Sequence, residues 1–264
     1  MKVSVITLGC KVNQYESQAM LNQLAASGFT ACDAPEDADV VIVNSCTVTA
    51  TSDHKVRQTL RRARRLNPQA VLVLTGCMPQ AFPEEAQALH EADVILGNSN
   101  RSSLLPDILA YLSSRQRIID IVPHKDGGGF ESMSVSRFFD RTRAFVKIED
   151  GCNRFCSYCV IPYLRGRSRS RSAESAAKEI LESSAQETVV TGIDISSYRD
   201  ENGGDLAALM FAVKEAETRI RLGSLEVSLI DERFLDAVKQ VKRFAPQFHL
   251  SLQSGSNRVL KAMN

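Results

Sequence analysis

Asp150-Gly-Cys-Asn-Arg-Phe-Cys-Ser-Tyr-Cys159 places three cysteines, Cys152, Cys156 and Cys159, within eight residues. Residues 144–149 ahead of it read as a strand that runs directly into this loop. One disulfide would use two of the thiols and leave the third. One zinc ion wants four ligands. Three close thiolates suit a four-iron four-sulfur cluster with one iron left open, since thiolates are the usual ligands of such clusters. An open iron can chelate a small molecule. A zinc knuckle whose fourth ligand lies elsewhere is the alternative.

Downstream, Arg165, Arg167, Arg169 and Arg171 recur at period two and would share one face of an extended chain. They can neutralise a carboxylate, hold phosphates, or form a solvated loop. Ser172 and Asp205 are placed to cap helices that carry Ile180 and Leu181, and Leu206 and Leu209. Strands are expected at 188–191, ending at Gly192, at 220–225 and at 248–252, with a helix marked by Phe234, Leu235, Val238 and Val241. Strand and helix alternate as in part of a (β/α) barrel, whose chemistry sits in the loops after the strands. Four strands cannot close such a barrel. The sequence stops just inside a helix after Ser254-Gly-Ser256, and so reads as truncated at the C-terminus.

Upstream, three short apolar runs, 3–8, 40–44 and 71–75, end at Gly9-Cys10, Ser45-Cys46 and Gly76-Cys77. Helical patterns lie between them: Ser17, Met20, Leu21 and Leu24 before a stop at Gly28, then Val56, Leu60, Ala63 and Leu66. A fourth strand at 94–96 precedes a stripe of Leu104, Leu105, Ile108, Leu109 and Leu112. This alternation predicts a parallel sheet covered by helices. Such sheets bind ligands at the edge formed by the strand C-termini. Cys10, Cys46 and Cys77 each follow a strand end and are therefore expected to converge there. The alternative is that they are buried as small hydrophobes. Cys32 has no such context and reads as a core or surface thiol. Lys55, Arg57, Arg61, Arg62, Arg64 and Arg65 surround the apolar stripe of the second helix, as a solvated face or a phosphate-contacting one.

The expected organisation is an α/β domain over 1–114, a connecting segment over 115–143, and a partial barrel over 144–264. Within the connection, 118–122 reads as a short strand, 125–130 as flexible, and 132–143 as polar and basic. The 32 Lys and Arg residues nearly cancel the 31 Asp and Glu residues, for a formal charge of +1, so any basic site must come from local clustering. No apolar run is long enough to span a membrane, and no signal peptide is legible at the N-terminus. A cytoplasmic location follows as the expectation. Seven cysteines there point to metal or redox chemistry rather than to disulfides.

The spacing of Cys152, Cys156 and Cys159, with Tyr158 before the last, resembles the radical S-adenosylmethionine superfamily. Over nearly its whole length the chain is similar to the methylthiotransferase family of that superfamily. The resemblance is carried by Leu8-Gly-Cys-Lys-Val-Asn-Gln-Tyr-Glu-Ser17, Asn44-Ser-Cys-Thr-Val-Thr49 and Thr75-Gly-Cys77 in the first half. In the second it is carried by Gly151-Cys-Asn-Arg-Phe-Cys-Ser-Tyr-Cys-Val-Ile-Pro-Tyr163, Arg165-Gly-Arg167, Thr191-Gly-Ile193 and Leu252-Gln-Ser-Gly-Ser256.

This resemblance implies two four-iron four-sulfur clusters. Cys152, Cys156 and Cys159 would hold the catalytic one, which binds S-adenosylmethionine and releases a 5′-deoxyadenosyl radical. Cys10, Cys46 and Cys77 would hold an auxiliary one that carries the sulfur or methylthio group. Tyr158, Gly192, Glu226 and Gln253 are the implied contacts to S-adenosylmethionine, and Arg165 and Arg167 to the substrate. Gly9-Cys-Lys-Val-Asn-Gln14 is similar to the branch that methylthiolates C2 of N6-threonylcarbamoyladenosine beside the tRNA anticodon. Other branches, acting on isopentenyladenosine or on a ribosomal-protein aspartate, are the alternatives, as is an iron–sulfur electron carrier without catalysis. The implied partners are tRNA, a flavodoxin- or ferredoxin-like electron donor and a sulfur donor, with no membrane. Family members continue through the rest of the barrel into a small β-barrel RNA-binding domain. This shorter chain is therefore expected to bind tRNA poorly, and the resemblance leaves open whether it is active alone.

Overall fold

A computed structural model describes residues 1–47, 50–125, 128–133, 135 and 142–264, with side chains of 50–52 left aside. Val48 and Thr49 of the second quoted segment lie outside the described residues, as do 126–127, 134 and 136–141 of the connection. The chain divides into two compact units. The first is Met1–Lys125 with Tyr163–Arg165, and the second is Asp126–Pro162 with Gly166–Asn264.

The first unit runs β1 (Lys2–Thr7), α1 (Lys11–Ala26), β2 (Thr30–Ala31), β3 (Val40–Ser45), α2 (Ala50–Leu66), β4 (Val71–Gly76), α3 (Cys77–Ala81), α4 (Pro83–Gln87), β5 (Val94–Leu96), α5 (Leu104–Ser114) and β6 (Ile118–Asp120). Its strands form one parallel sheet in the order β2-β1-β3-β4-β5-β6. The order reverses between β1 and β3, which is where open parallel sheets bind ligands. Every residue of β3 and β4 is buried, as expected of central strands covered on both faces. Val41 and Val43 pack with Val56 and Leu60 of α2, while Asn44, pointing the other way, bonds to α1. Fully burying such an aliphatic side chain contributes roughly 1.5–3 kcal/mol.

The expected strands recur within a residue or so, but α1 begins at Lys11 instead of near Ser17. Residues 11–16 are largely polar, so hydrophobic spacing does not reveal them, yet Asn13, Glu16 and Ser17 are buried. The strand expected at 118–122 is β6, an edge of this sheet, so the first unit takes in the beginning of the expected connection. The basic face of α2 is largely tied down: Arg57 pairs with Asp53 and Glu85, Arg61 with Glu91, and Arg64 with Asp93.

Asp107 of α5 faces Asp120 of β6. Burial first, and then the Asp120 carboxylate, pushes Asp107 up to about 6. The folded chain thus holds this proton more tightly than the unfolded chain. The group stabilises the fold below its ordinary value near 3.8, and that contribution is lost as pH rises through about 6. Asp107→Asn is expected to flatten the stability profile over that window and to raise the neutral-pH Tm by at most about 2 °C, the site being partly solvated. Melting curves across pH check this, and a variant with the parental profile would contradict it.

The second unit runs β7 (Arg143–Lys147), β8 (Glu149–Asp150), α6 (Ile161–Arg165, whose last three residues belong to the first unit), β9 (Arg169–Ser170), α7 (Ala173–Leu181), β10 (Glu187–Thr191), α8 (Leu206–Ala212), β11 (Arg219–Leu222), β12 (Ser224–Leu225), α9 (Glu232–Gln240), β13 (His249–Leu250) and α10 (Asn257–Met263). β7, β10 and β11 make a parallel sheet, β12 pairs with β13 in parallel, and β8 with β9 in antiparallel. These sheets do not close into a barrel among the described residues. Val146, Val190 and Ile220 of the sheet pack with Ile180, Met210 and Phe234 of the helices. Ser172 and Asp205 cap α7 and α8 as expected, accepting from the Ser175 and Ala208 amides at 3.2 and 2.9 Å. Asp231 caps α9 in the same way. Two expected strands are each split. Residues 220–225 break at Gly223 between β11 and β12, and 144–149 divide so that β8 leaves the parallel sheet to pair with β9.

Candidate functional site

In the first unit, Cys10, Cys46 and Cys77 follow β1, β3 and β4, three neighbours in the sheet. A buried polar frame ties the strand ends. Asn13 Oδ1 accepts from the amide and the thiol of Cys10, both at 3.3 Å. Asn13 Nδ2 donates to the Ser45 carbonyl at 3.1 Å. Ser45 Oγ donates to the Thr75 carbonyl at 2.6 Å and accepts from the Met78 amide at 3.1 Å. Gly9 has a φ of +139°, and a Cβ there would come within 2.8 Å of the Cys46 Cβ. Only glycine therefore lets the first cysteine segment approach the second so closely. Cys10 is exposed, whereas Cys46 and Cys77 are buried.

Arg165 is the unexpected member of this group. It is 1% exposed, so it cannot reach a substrate phosphate from this position. Its Nη1 lies 2.6 Å from Glu16 Oε1, and its Nη2 donates to Cys77 Sγ at 3.3 Å. Arg101 donates to the same Glu16 oxygen at 2.7 Å. Asn98 Nδ2 bonds to the Leu164 carbonyl at 3.0 Å and reaches Cys77 Sγ at 3.9 Å. Burial pushes the Cys77 thiol up, and the Arg165 guanidinium opposes that shift.

In the second unit the 150–159 loop hangs from a buried ion pair. Lys147 Nζ is 2.6 Å from Asp150 Oδ2, and the other Asp150 oxygen accepts from the Gly151 amide at 2.9 Å. Gly151 has a φ of +88°, and a Cβ there would collide with the Arg167 carbonyl. The Cys152 amide donates to the Gly166 carbonyl at 3.1 Å, and the Cys159 amide to the Cys156 carbonyl at 2.9 Å. All three thiols are half-buried. Burial, together with the Glu149, Asp194 and Cys159 charges, pushes Cys152 up, against a bond from the Arg154 backbone.

Around this loop, the Tyr158 hydroxyl donates to Gln253 Oε1 at 2.9 Å, which brings together two residues expected near S-adenosylmethionine. Glu226 pairs with Arg154 at 2.6 Å, and Arg154 also bonds to Asp194 at 3.0 Å. Gly192 lies against the Glu149 backbone. The Glu149 carboxyl is pushed up to about 8 by burial, against hydrogen bonds from the Asp194 amide and Ser168 hydroxyl. The four arginines do not share a face. Arg167 is exposed, with its guanidinium over the Phe155 ring. Arg169 leans toward Asp150, and Arg171 is buried against Glu179.

Among the described residues, no three His, Cys, Asp or Glu side chains stand close enough to share one metal ion. Thiolates around a four-iron cluster each take a different iron, so a cluster does not require three side chains to share one ion. Two sets of three thiols, one supported by Asn13 and Arg165 and the other by a loop on a buried ion pair, suit such a group in donor chemistry. Asn13, Glu16, Asn98 and Arg101 escape sequence reasoning about cysteine spacing. Glu16 and Asn13 nonetheless lie inside the quoted 8–17 segment.

Residues 2–97 match the profile described as uncharacterized protein family UPF0004, and residues 146–264 match that of the radical SAM superfamily. The chain is 36% identical over 272 residues to the threonylcarbamoyladenosine tRNA methylthiotransferase MtaB of Aquifex aeolicus, covering 100% of this chain and 66% of that protein. It is 38% identical over 268 residues to the Bacillus subtilis protein of the same name, covering 99% and 59%. It is 32% identical over 276 residues to the tRNA-2-methylthio-N(6)-dimethylallyladenosine synthase of Pelotomaculum thermopropionicum, covering 100% and 61%. The chain thus spans about three-fifths to two-thirds of the length of these curated relatives. With a UPF0004 segment ahead of a radical SAM segment, and alignment to these relatives along practically its whole length, the chain belongs to the radical S-adenosylmethionine methylthiotransferase family.

Proposed function

We propose that the protein to which this chain belongs is a cytoplasmic tRNA methylthiotransferase that acts on N6-threonylcarbamoyladenosine. The observation that carries this reading is the pair of cysteine triplets, 10/46/77 and 152/156/159, each on its own frame, in a chain similar to proteins so named. Cys152, Cys156 and Cys159 would hold one four-iron four-sulfur cluster, and Cys10, Cys46 and Cys77 a second. With S-adenosylmethionine bound, the first supplies the radical chemistry that an unactivated adenine C–H bond requires, because no side chain can remove that hydrogen as a proton.

The chain's own residues hold and orient. The bonds from Asp150 to Lys147 and to the Gly151 amide set the loop. Tyr158 and Gln253, joined by a hydrogen bond, and Glu226, paired with Arg154, would contact the cofactor. Arg167, exposed on the same unit, is the arginine left to meet a phosphate. An external one-electron donor and a sulfur donor complete the reaction.

Nucleoside analysis of tRNA from a strain lacking the gene tests the substrate. The 2-methylthio derivative of N6-threonylcarbamoyladenosine should disappear and its precursor accumulate. Loss of the methylthio group from dimethylallyladenosine instead would move the protein to the other relatives' substrate, and no change in either would contradict tRNA as the substrate.

A further inference from the structure

Arg165 lies within hydrogen-bond reach of a cysteine distant in sequence, in a place that is almost free of water. Arg165, Glu16 and Cys77 are 1%, 0% and 2% exposed. A guanidinium taken out of water needs anions around it. Glu16 supplies one, but that carboxylate is shared: its Oε1 accepts from Arg165 at 2.6 Å and from Arg101 at 2.7 Å. The Arg165 Nη2 that is 3.3 Å from Glu16 Oε2 is also 3.3 Å from Cys77 Sγ. A thiolate there sets a second anion beside the guanidinium through a charge-assisted hydrogen bond. A neutral thiol would accept the same bond only weakly. The arrangement is thus complementary to the deprotonated, metal-ligating form of Cys77.

We propose that Arg165 is a positioning residue for the Cys77 thiolate and sets the reduction potential of the cluster on Cys10, Cys46 and Cys77. This rests on the assignment of a cluster to those cysteines. Hydrogen bonds and positive charge at a cluster's sulfurs stabilise its reduced form, which carries one more electron, and so raise its potential. Glu16 acts behind Arg165, holding the guanidinium at the sulfur. Arg165 is therefore a residue of the auxiliary site, in contrast to the substrate role that its Arg-Gly-Arg context implies.

The test uses protein in which Cys152, Cys156 and Cys159 are all replaced by alanine, so that only the Cys10, Cys46 and Cys77 site takes up iron under anaerobic reconstitution. In this background Arg165→Met should move the midpoint potential of the cluster, read by redox titration with electron paramagnetic resonance, to a more negative value. The expected size is a tenfold or greater change in the reduced-to-oxidised ratio at fixed potential, about 59 mV for one electron. Arg165→Lys, which keeps the charge, should recover part of the shift. Arg165→Met leaves Glu16 paired with Arg101 at 2.7 Å, so no buried charge is left alone. An unchanged potential in Arg165→Met would overturn the proposal. Where Arg165→Met does not fold, Arg165→Lys is read in its place: a smaller negative shift is expected, and an unchanged potential would overturn the proposal. Absence of iron from the triple-alanine parent would overturn the cluster assignment beneath it, an outcome distinct from the former.

Discussion

Cys46→Ala, made in the protein at the full length of its relatives, is expected to separate two products that the parental enzyme makes together. Under reduction, 5′-deoxyadenosine should still form from S-adenosylmethionine. Cys152, Cys156 and Cys159 remain, and the bonds that set their loop, Lys147–Asp150 and Asp150–Gly151, lie inside the second unit. The methylthio nucleoside should fall below detection, because Cys46 sits in the middle of the three adjacent strand ends. A bond that supports a metal ligand is typically worth ~10–100-fold, and a ligand itself should cost more. Cys156→Ala should abolish both products. Mass spectrometry of both compounds from one reaction decides the matter. Full methylthiolation by Cys46→Ala would defeat the sulfur-carrying role of the first unit. Loss of both products in folded Cys46→Ala would mean that the two sites depend on one another.

Glu16→Ala is expected to destabilise the first unit strongly. The carboxylate is 0% exposed and holds Arg101 and Arg165, each 1% exposed. Removing one partner of a buried ion pair costs about 3–5 kcal/mol, because the remaining charge is left in a medium that solvates it poorly. Here two guanidinium groups lose the same partner, so the upper part of that range applies. The gain in stability from replacing the polar group by a methyl does not offset this. Urea unfolding of the iron-free chain, followed by far-UV circular dichroism, measures the change. A loss below about 1 kcal/mol would mean that water reaches the cluster and that the pair behaves as a surface pair.

The fold of the first unit was legible because its central strands are continuous apolar runs, 40–44 and 71–75, each closed by a small residue and a cysteine. That pattern has one good physical reading, a parallel sheet, and the adjacency of β1, β3 and β4 follows from their connections. The start of α1 was not legible. Lys11, Asn13, Gln14 and Glu16 carry no hydrophobic period, since here the buried side of the helix faces a polar site instead of an oily core. The role of Arg165 was hidden for a related reason. Arginines at period two suggest a shared extended face, but α6 ends at Arg165, and Gly166, with φ of +69°, turns the chain there. A helix of five residues gives too few positions for a period to show. The split of residues 144–149 into β7 and β8 was missed because the antiparallel partner, β9, is two residues long and made of Arg169 and Ser170.

The two-site account stands or falls most directly on iron and sulfide counted in anaerobically reconstituted protein. Two four-iron four-sulfur clusters per chain are expected, one on Cys10, Cys46 and Cys77 and one on Cys152, Cys156 and Cys159. The protein lacking the second set of thiols should keep half the iron, and the protein lacking the first set the other half. A triple variant that loses all its iron, or none, would contradict two independent clusters.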